Sequence, residues 1–327
     1  MLRIKSFAKI NLGLEILGKR TDGYHELRTL FQSISLCDEI EIEPCSTPGI
    51  RLSGSAPDIP WDADNLIHRA GELLLRESGY PGGAAIHVRK RIPPGKGLGG
   101  GSSNAAVTLA ALNQLWGLGI PPLKLATLAG RLGADVPYFL TGGLCLGTGI
   151  GDRIEPLEDL PGFFCVLTRP DRFLSTARVY ARVPPVLTSG RKASRIDGFL
   201  SRREICGLIN DLEETVFRID PQLITTKCLL QELGAELSLL SGSGSAVFGL
   251  FRDETRARNA LKALPPWSRP VLSETISRKR YRIEMGLGCS QVVRQRPLEP
   301  PFGGSNPPTP ARISNNERPA RPIWKKR

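Results

Sequence analysis

Residues 93–106 read PPGKGLGGGSSNAA: five glycines in fourteen positions, closed by two hydroxyls and an asparagine. An alternating run, AAIHVRK at 84–90, precedes it, and the apolar run AAVTLAALNQLWG at 105–117 follows it. Alternation predicts a strand, and the longer Ala/Leu-rich run predicts a helix. A glycine loop between a strand and a helix has few side chains in the way and many free backbone N–H groups. It makes a cradle for phosphate at the helix N-terminus. A lone glycine repeat more often marks a surface turn, and the strand–loop–helix setting is what gives this one meaning. Lys96 precedes Gly97 and no G-K-[ST] closes the loop, so it is not a Walker loop. No acidic residue ends a following strand, so it is not a dinucleotide fingerprint. Leu98 is expected to plug inward. Ser102 and Ser103 stand where hydroxyls reach phosphate or Mg²⁺, or simply cap the helix. Lys96 either touches phosphate or faces solvent.

The chain has 327 residues, 40% of them apolar, enough for one large or two ordinary domains. No stretch reads as a membrane span or a signal peptide, and MLRIKSFAKINLGLEI alternates from the start. Seven Cys form no CxxC pair, and only three His are present. Disulfide frameworks and His-rich metal sites are therefore disfavoured, and a reducing cytoplasm is expected. The net charge of +12 invites a polyanion-binding reading, but residues 286–327 alone carry +6 and eight Pro. That tail cannot bury enough apolar surface to fold. It is expected to lie outside the working body, where it could contact polyanions, and truncation near residue 285 is predicted to spare activity.

Strands are predicted at 3–17 (interrupted near 8–11), 26–35, 38–43 and 85–89, around an irregular excursion at 46–62. Helices are predicted at 64–77, capped by Asp62 or Asp64, and at 104–115 and 122–132. Residues 136–140 and 144–146 read as strand-like or irregular. Beyond a boundary near 157, a buried strand at 163–168 is followed by a short helix or loop at 175–183 and a connection at 184–198. Helices at 201–219 and 221–233 come next, then strands at 238–240 and 246–251 flanking SGSGS. A helix at 254–263 and a strand from 272, extending toward 283, complete an α+β pattern.

Asp135, in LGADVP, is a candidate semi-buried carboxylate, which requires a partner. Lys9, in the apolar run FAKINL, supplies one, although a Lys in such a strand usually faces solvent. Beside a phosphate cradle the pair suits phosphoryl transfer, with Lys9 holding Asp135 ionised and Asp135 accepting a hydroxyl proton or orienting the hydroxyl. The loop 241–245, SGSGS, is either an ordinary hairpin or a second backbone wall.

FAKINLGLEI, PPGKGLGGGSSNAA and LSGSGSAVFGL together resemble the three motifs of the GHMP small-molecule kinases, which include galactokinase, homoserine kinase and mevalonate kinase. TDGYHEL and LGADVPYF are similar to one branch, whose acceptor is a methylerythritol bearing a cytidine diphosphate. The resemblance covers residues 3 to about 283. It implies a two-domain α+β fold, with a ribosomal-protein-S5-domain-2-like unit at 1–157, a ferredoxin-like α/β-plait at 158–284 and the tail at 285–327. It implies ATP with Mg²⁺, a small-molecule partner, no specific nucleic acid, a monomer or weak homodimer, and a bacterial cytoplasm. By the same resemblance Lys9 and Asp135 are catalytic. Asn65 with Pro93, Pro94, Gly95, Lys96, Gly97, Leu98, Gly99, Gly100, Gly101, Ser102 and Ser103 holds the nucleotide. Asn11, Tyr24, His25, Ser175, Thr176 and Tyr180 hold the acceptor, with aromatics sandwiching the cytosine. The alternatives are another GHMP kinase with a mevalonate- or homoserine-like acceptor, and a non-catalytic polyanion binder. The first would lack the cytosine-sandwiching residues. Lys9 and Asp135 speak against the second.

Overall fold

The computed structural model describes residues 1–184 and 194–286. Most of the 184–198 connection and nearly all of the tail lie outside the described residues.

β1 (Leu2–Lys19) and β2 (His25–Cys45) form one long antiparallel ribbon, turned at Thr21–Gly23. The interruption expected near 8–11 is a pair of register shifts, between Phe7 and Ala8 and between Asn11 and Gly13. Such bulges bend a strand and re-aim its side chains without ending it. They also explain why β2 runs unbroken where two strands were expected. The excursion at 46–62 contains a short strand, β3 (Gly49–Gly54), which pairs in parallel with β4 (Gly83–Arg89).

Helix α1 (Leu66–Ser78) is capped by Asn65, whose side chain accepts from Ile67 N; neither Asp62 nor Asp64 is the cap. α2 (Gly100–Leu115) starts four residues earlier than its apolar pattern suggests, within the glycines themselves. It is buried almost all round, which is why it reads as continuously apolar. α3 (Pro122–Leu132) follows. α4 (Val136–Thr141) is a helix rather than the expected strand, because Pro137 in its first turn favours helix entry despite the β-prone Val, Tyr and Phe. β5 (Leu144–Thr148) and β6 (Arg153–Pro156) complete a six-stranded sheet, ordered β3-β4-β2-β5-β6 with β1 along β2.

The second sheet begins with β7 (Phe164–Leu167). α5 (Thr176–Tyr180), α6 (Arg195–Arg202), α7 (Glu213–Ile219) and α8 (Gln222–Glu232) follow. The single helix expected over 201–219 is thus interrupted after Arg203, which adopts φ 61° and ends α6. β8 (Leu237–Leu240), β9 (Val247–Phe251), α9 (Glu254–Ala263) and β10 (Val271–Glu274) complete an antiparallel sheet ordered β10-β7-β9-β8. This is the split β-α-β of a ferredoxin-like unit. The chain then forms α10 (Arg278–Met285), capped by Ser277, where a strand extension was expected. Tyr281 and Met285, four residues apart, put its buried face inward.

Ala8, Ile10 and Leu12 of β1 share one apolar cluster with Cys165, Leu167, Phe248 and Leu250 of the second sheet. β1 is therefore covered on both faces from Ser6 through Ile16. Lys9 lies inside that covered stretch.

Candidate active site

The glycine loop holds its shape through close backbone approaches. A Cβ at Gly97 would stand 1.9 Å from the Ser241 carbonyl, and the residue sits at φ 75°. Ser241 Oγ donates to Gly97 O at 2.9 Å, and Ala246 N donates to Lys96 O at 3.2 Å. The SGSGS segment is thus a second wall seated on the first loop. Asn210 holds that wall from behind, its amide donating to Leu240 O and Gly242 O at 2.9 and 2.8 Å. Gly97→Ala forces the loops apart and puts an L-residue into the left-handed region. It is expected to cost about 2–4 kcal/mol of stability, read as a lower denaturation midpoint, along with most of the activity.

α2 carries no side-chain cap, and its first bond into the helix is Ser103 N to Gly99 O at 2.8 Å. The N–H groups of Gly100, Gly101 and Ser102 therefore lack intrahelical acceptors at the positive end of a 16-residue helix, an arrangement that suits an anion. Behind it, buried Asp38 accepts from Arg91 N, Ile92 N, Asn104 Nδ2 and Lys90 Nζ and fixes the strand-to-loop exit. Leu98 is buried as the inward plug.

Lys9 is only 3% exposed. Its Nζ lies 3.7 Å from Asp135 Oδ2 and donates to Asn11 Oδ1 at 2.6 Å. Asn11 Nδ2 donates to Thr29 Oγ1 at 2.7 Å, and Thr29 Oγ1 to Gly13 O at 2.8 Å. The ammonium is aimed through side chains two apart on one face of β1. Burial pushes its pKa below the usual lysine value, and Asp135 opposes that shift. The Asp135 side chain is 38% exposed, so it remains open to a substrate hydroxyl. It stands at the N-cap of α4, and Gly99 brings the loop against the Lys9 stem: a Cβ there would meet Lys9 Cγ at 3.2 Å.

One cleft of about 1310 Å³ is lined by Lys9, Asn11, Asp135 and residues 93–102, and by Tyr24, His25, Thr176 and Tyr180. Drug-sized pockets run to roughly 300–1,000 Å³, so this one has room for two nucleotide-sized molecules. His25 and Tyr180 rings lie 5.3 Å apart between centroids, and Tyr24 is 61% exposed at the cleft surface. Burial, with Lys19 adding to it, lowers the His25 pKa, which favours the neutral ring at neutral pH. Burial raises the Tyr180 pKa, and the Asp135 charge adds to the effect. Thr176 Oγ1 and Ser243 Oγ are 2.8 Å apart, tying α5 to the second wall.

Four expected site residues do other work in this structure. Ser103 is fully buried, its Oγ 2.7 Å from Ser6 Oγ, so Ser102 supplies the loop's cleft-facing hydroxyl. Asn65 caps α1 and donates to Pro60 O, and its neighbour Leu66 lines the cleft instead. Ser175 is the residue before α5 and stays off the cleft wall, which Thr176 reaches. Lys96 borders the cleft, but its ammonium donates to the Arg172 carbonyl, which also accepts from Ser245 Oγ at 2.7 Å. Sequence reasoning missed Thr29, the third member of the Lys9–Asn11 chain. Only its register opposite Leu14 on β1 reveals it.

The GHMP kinases N terminal domain family matches residues 65–143, and the GHMP kinases C terminal family matches residues 199–266. A homoserine kinase from Cytophaga hutchinsonii shares the fold, with a TM-score of 0.66, 18% identity and coverage of 84% of this chain and 95% of that one. Fold and cleft together define a small-molecule kinase of the GHMP class. A protein of Geobacter sp. (strain M21), named 4-diphosphocytidyl-2-C-methyl-D-erythritol kinase, is 44% identical over 79% of this chain and 92% of its own. A protein of the same name from Solibacter usitatus is 40% identical over 89% and 94%. The crystal structure of a 4-(cytidine 5'-diphospho)-2C-methyl-D-erythritol kinase superposes with a TM-score of 0.73 at 39% identity, covering 84% of this chain and 99% of that one. The chain belongs to the 4-diphosphocytidyl-2-C-methyl-D-erythritol kinase family. Among the described residues no helix is long and apolar enough to cross a membrane.

Proposed function

We propose that this protein transfers the γ-phosphoryl group of ATP to the 2-hydroxyl of 4-diphosphocytidyl-2-C-methyl-D-erythritol, giving the 2-phosphate and ADP. The observation that carries the reading is the buried Lys9 beside the open Asp135 carboxylate, 3.7 Å away, in one cleft with a glycine cradle and the His25–Tyr180 ring pair. Relatives at 40–44% identity bear that kinase's name.

In this reading the orphan N–H groups of Gly100, Gly101 and Ser102 hold the ATP phosphates. Lys9 neutralises charge gathering on the transferred group, and Asp135 receives or orients the proton of the attacking hydroxyl. Asn11 and Thr29 fix the ammonium. The Ser102 hydroxyl and the Asp135 carboxylate are hard oxygen donors that fit Mg²⁺. The ion would neutralise phosphate charge there. No cluster of three or more His, Cys, Asp or Glu able to hold a metal occurs among the described residues, so phosphates and water would supply most of its ligands. Tyr24, His25 and Tyr180 hold the cytosine. We place the domain division at residue 157, between β6 of the first sheet and β7 of the second.

Tyr24→Ala tests the acceptor pocket. Loss of one stacking face costs about 1–3 kcal/mol, so KM for the cytidylyl acceptor is expected to rise roughly 5- to 100-fold with KM for ATP unchanged. CMP is expected to compete with the acceptor in the native enzyme and to lose that ability in the variant. An unchanged acceptor KM removes Tyr24 from the pocket. Failure of CMP to compete favours a different GHMP acceptor.

A further inference from the structure

α4 is the short element that carries Asp135 at its N-cap, and it spans only Val136–Thr141. A helix this short leaves its last carbonyls without intrahelical partners. Two side chains of α10, about 140 residues further along the chain, reach the carbonyls at and just beyond its C-terminal end. Tyr281 Oη donates to Phe139 O at 2.7 Å, and Arg278 Nε donates to Gly142 O at 3.2 Å. Tyr281 is wholly buried, and burial raises its pKa, so the phenol stays protonated as a donor. Its ring lies against Gly142, where a Cβ would come within 2.3 Å, and packs on Phe7 of β1 at 5.4 Å between centroids. On the other side of α4, the Phe139 ring abuts Gly99 of the phosphate loop, 2.6 Å from the place of a Cβ. One helical turn therefore links the Tyr281 hydroxyl, the glycine loop and the carboxylate beside Lys9.

We propose that Tyr281 is a positioning residue for phosphoryl transfer: its bond to the Phe139 carbonyl sets how α4 is turned, and so where the Asp135 carboxylate stands relative to Lys9 and the glycine loop. The proposal rests on Asp135 being the group that handles the acceptor hydroxyl. Tyr281 is buried and does not line the cleft, so the bond acts on the geometry of the reacting groups and leaves both binding halves of the cleft in place.

The test compares Tyr281→Phe, Asp135→Glu and the double variant in steady-state turnover, at a temperature where circular dichroism shows all three folded. Tyr281→Phe keeps the ring and removes only the hydroxyl. A displacement of a fraction of an ångström is expected to lower kcat about tenfold, with both KM values within about twofold of native. In the Asp135→Glu background, where the carboxylate is already displaced, the same change is expected to lower kcat less than about twofold. A purely structural role predicts no kcat loss in the folded variant, or an equal loss in both backgrounds; either result overturns the proposal. Should Tyr281→Phe not fold, Arg278→Lys, which keeps the charge but loses the guanidinium's bonds to Gly142 O, Leu144 O and Leu157 O, is measured in the native and Asp135→Glu backgrounds: a kcat loss confined to the native background supports α10 setting Asp135 through α4, and an equal loss in both overturns it. Near-native kcat in Asp135→Asn would instead remove the catalytic reading of Asp135 itself, independently of what Tyr281→Phe does.

Discussion

Asp135→Asn is expected to lower kcat by roughly 10³-fold or more, with KM for ATP and for the acceptor changed little. The amide is nearly isosteric with the carboxylate, and the 38% exposed side chain makes no capping bond to α4, so the fold is expected to survive the change even though buried Lys9 loses its facing anion. What disappears is the anion facing Lys9 and, on the proposed mechanism, the group that receives or orients the hydroxyl proton. The check is a coupled ADP-release assay on the purified variant, with circular dichroism to verify the fold. Near-native kcat contradicts the mechanism.

Lys9→Ala is the second large effect. The change removes the buried ammonium and leaves Asn11 Oδ1 without its 2.6 Å donor. In a site that excludes water, one lost cationic donor to developing charge costs on the order of 10²–10³ in kcat. The pH dependence has a definite sign. Burial holds the Lys9 pKa below 10.5, with Asp135 partly restoring it. The Lys9 cation, proposed to act in the transfer, is present below that pKa and is lost as pH rises through it, so kcat is expected to fall on the alkaline side earlier than an ordinary lysine allows. Lys9→Arg, whose guanidinium does not titrate there, is expected to lower activity but abolish that limb. An alkaline limb that persists in Lys9→Arg assigns it to another group.

The glycine loop was legible because its chemistry is local: backbone free of side chains, delivered onto a helix. Lys9 and Asp135 were legible as chemically odd residues in apolar surroundings. That Lys9 is buried was not, because the Phe31 ring, Gly99 of the glycine loop and Gly242 of the second wall close around it, and no local pattern brings those distant segments together. Adjacent residues at the start of a helix differ in direction by roughly 100°. For that reason composition could not decide that Ser102 faces the cleft while Ser103 faces Ser6. The same holds for Asn65 against Leu66 and for Ser175 against Thr176. α4 was misread because six residues are too few for a helical period to show. α10 was misread because its two buried residues suit a strand of similar length equally well. In both helices the decisive information lies in contacts between distant segments, the very contacts that join Tyr281 to Phe139.

The central claim is that one cleft brings ATP and a cytidine diphosphate-bearing acceptor to Lys9 and Asp135. It is tested most directly by ADP release from the purified protein with ATP, Mg²⁺ and separate acceptors. ADP release is expected with 4-diphosphocytidyl-2-C-methyl-D-erythritol, suppressed by excess CMP, and only background release with mevalonate or homoserine. Turnover of mevalonate or homoserine without turnover of the cytidylyl substrate would contradict it.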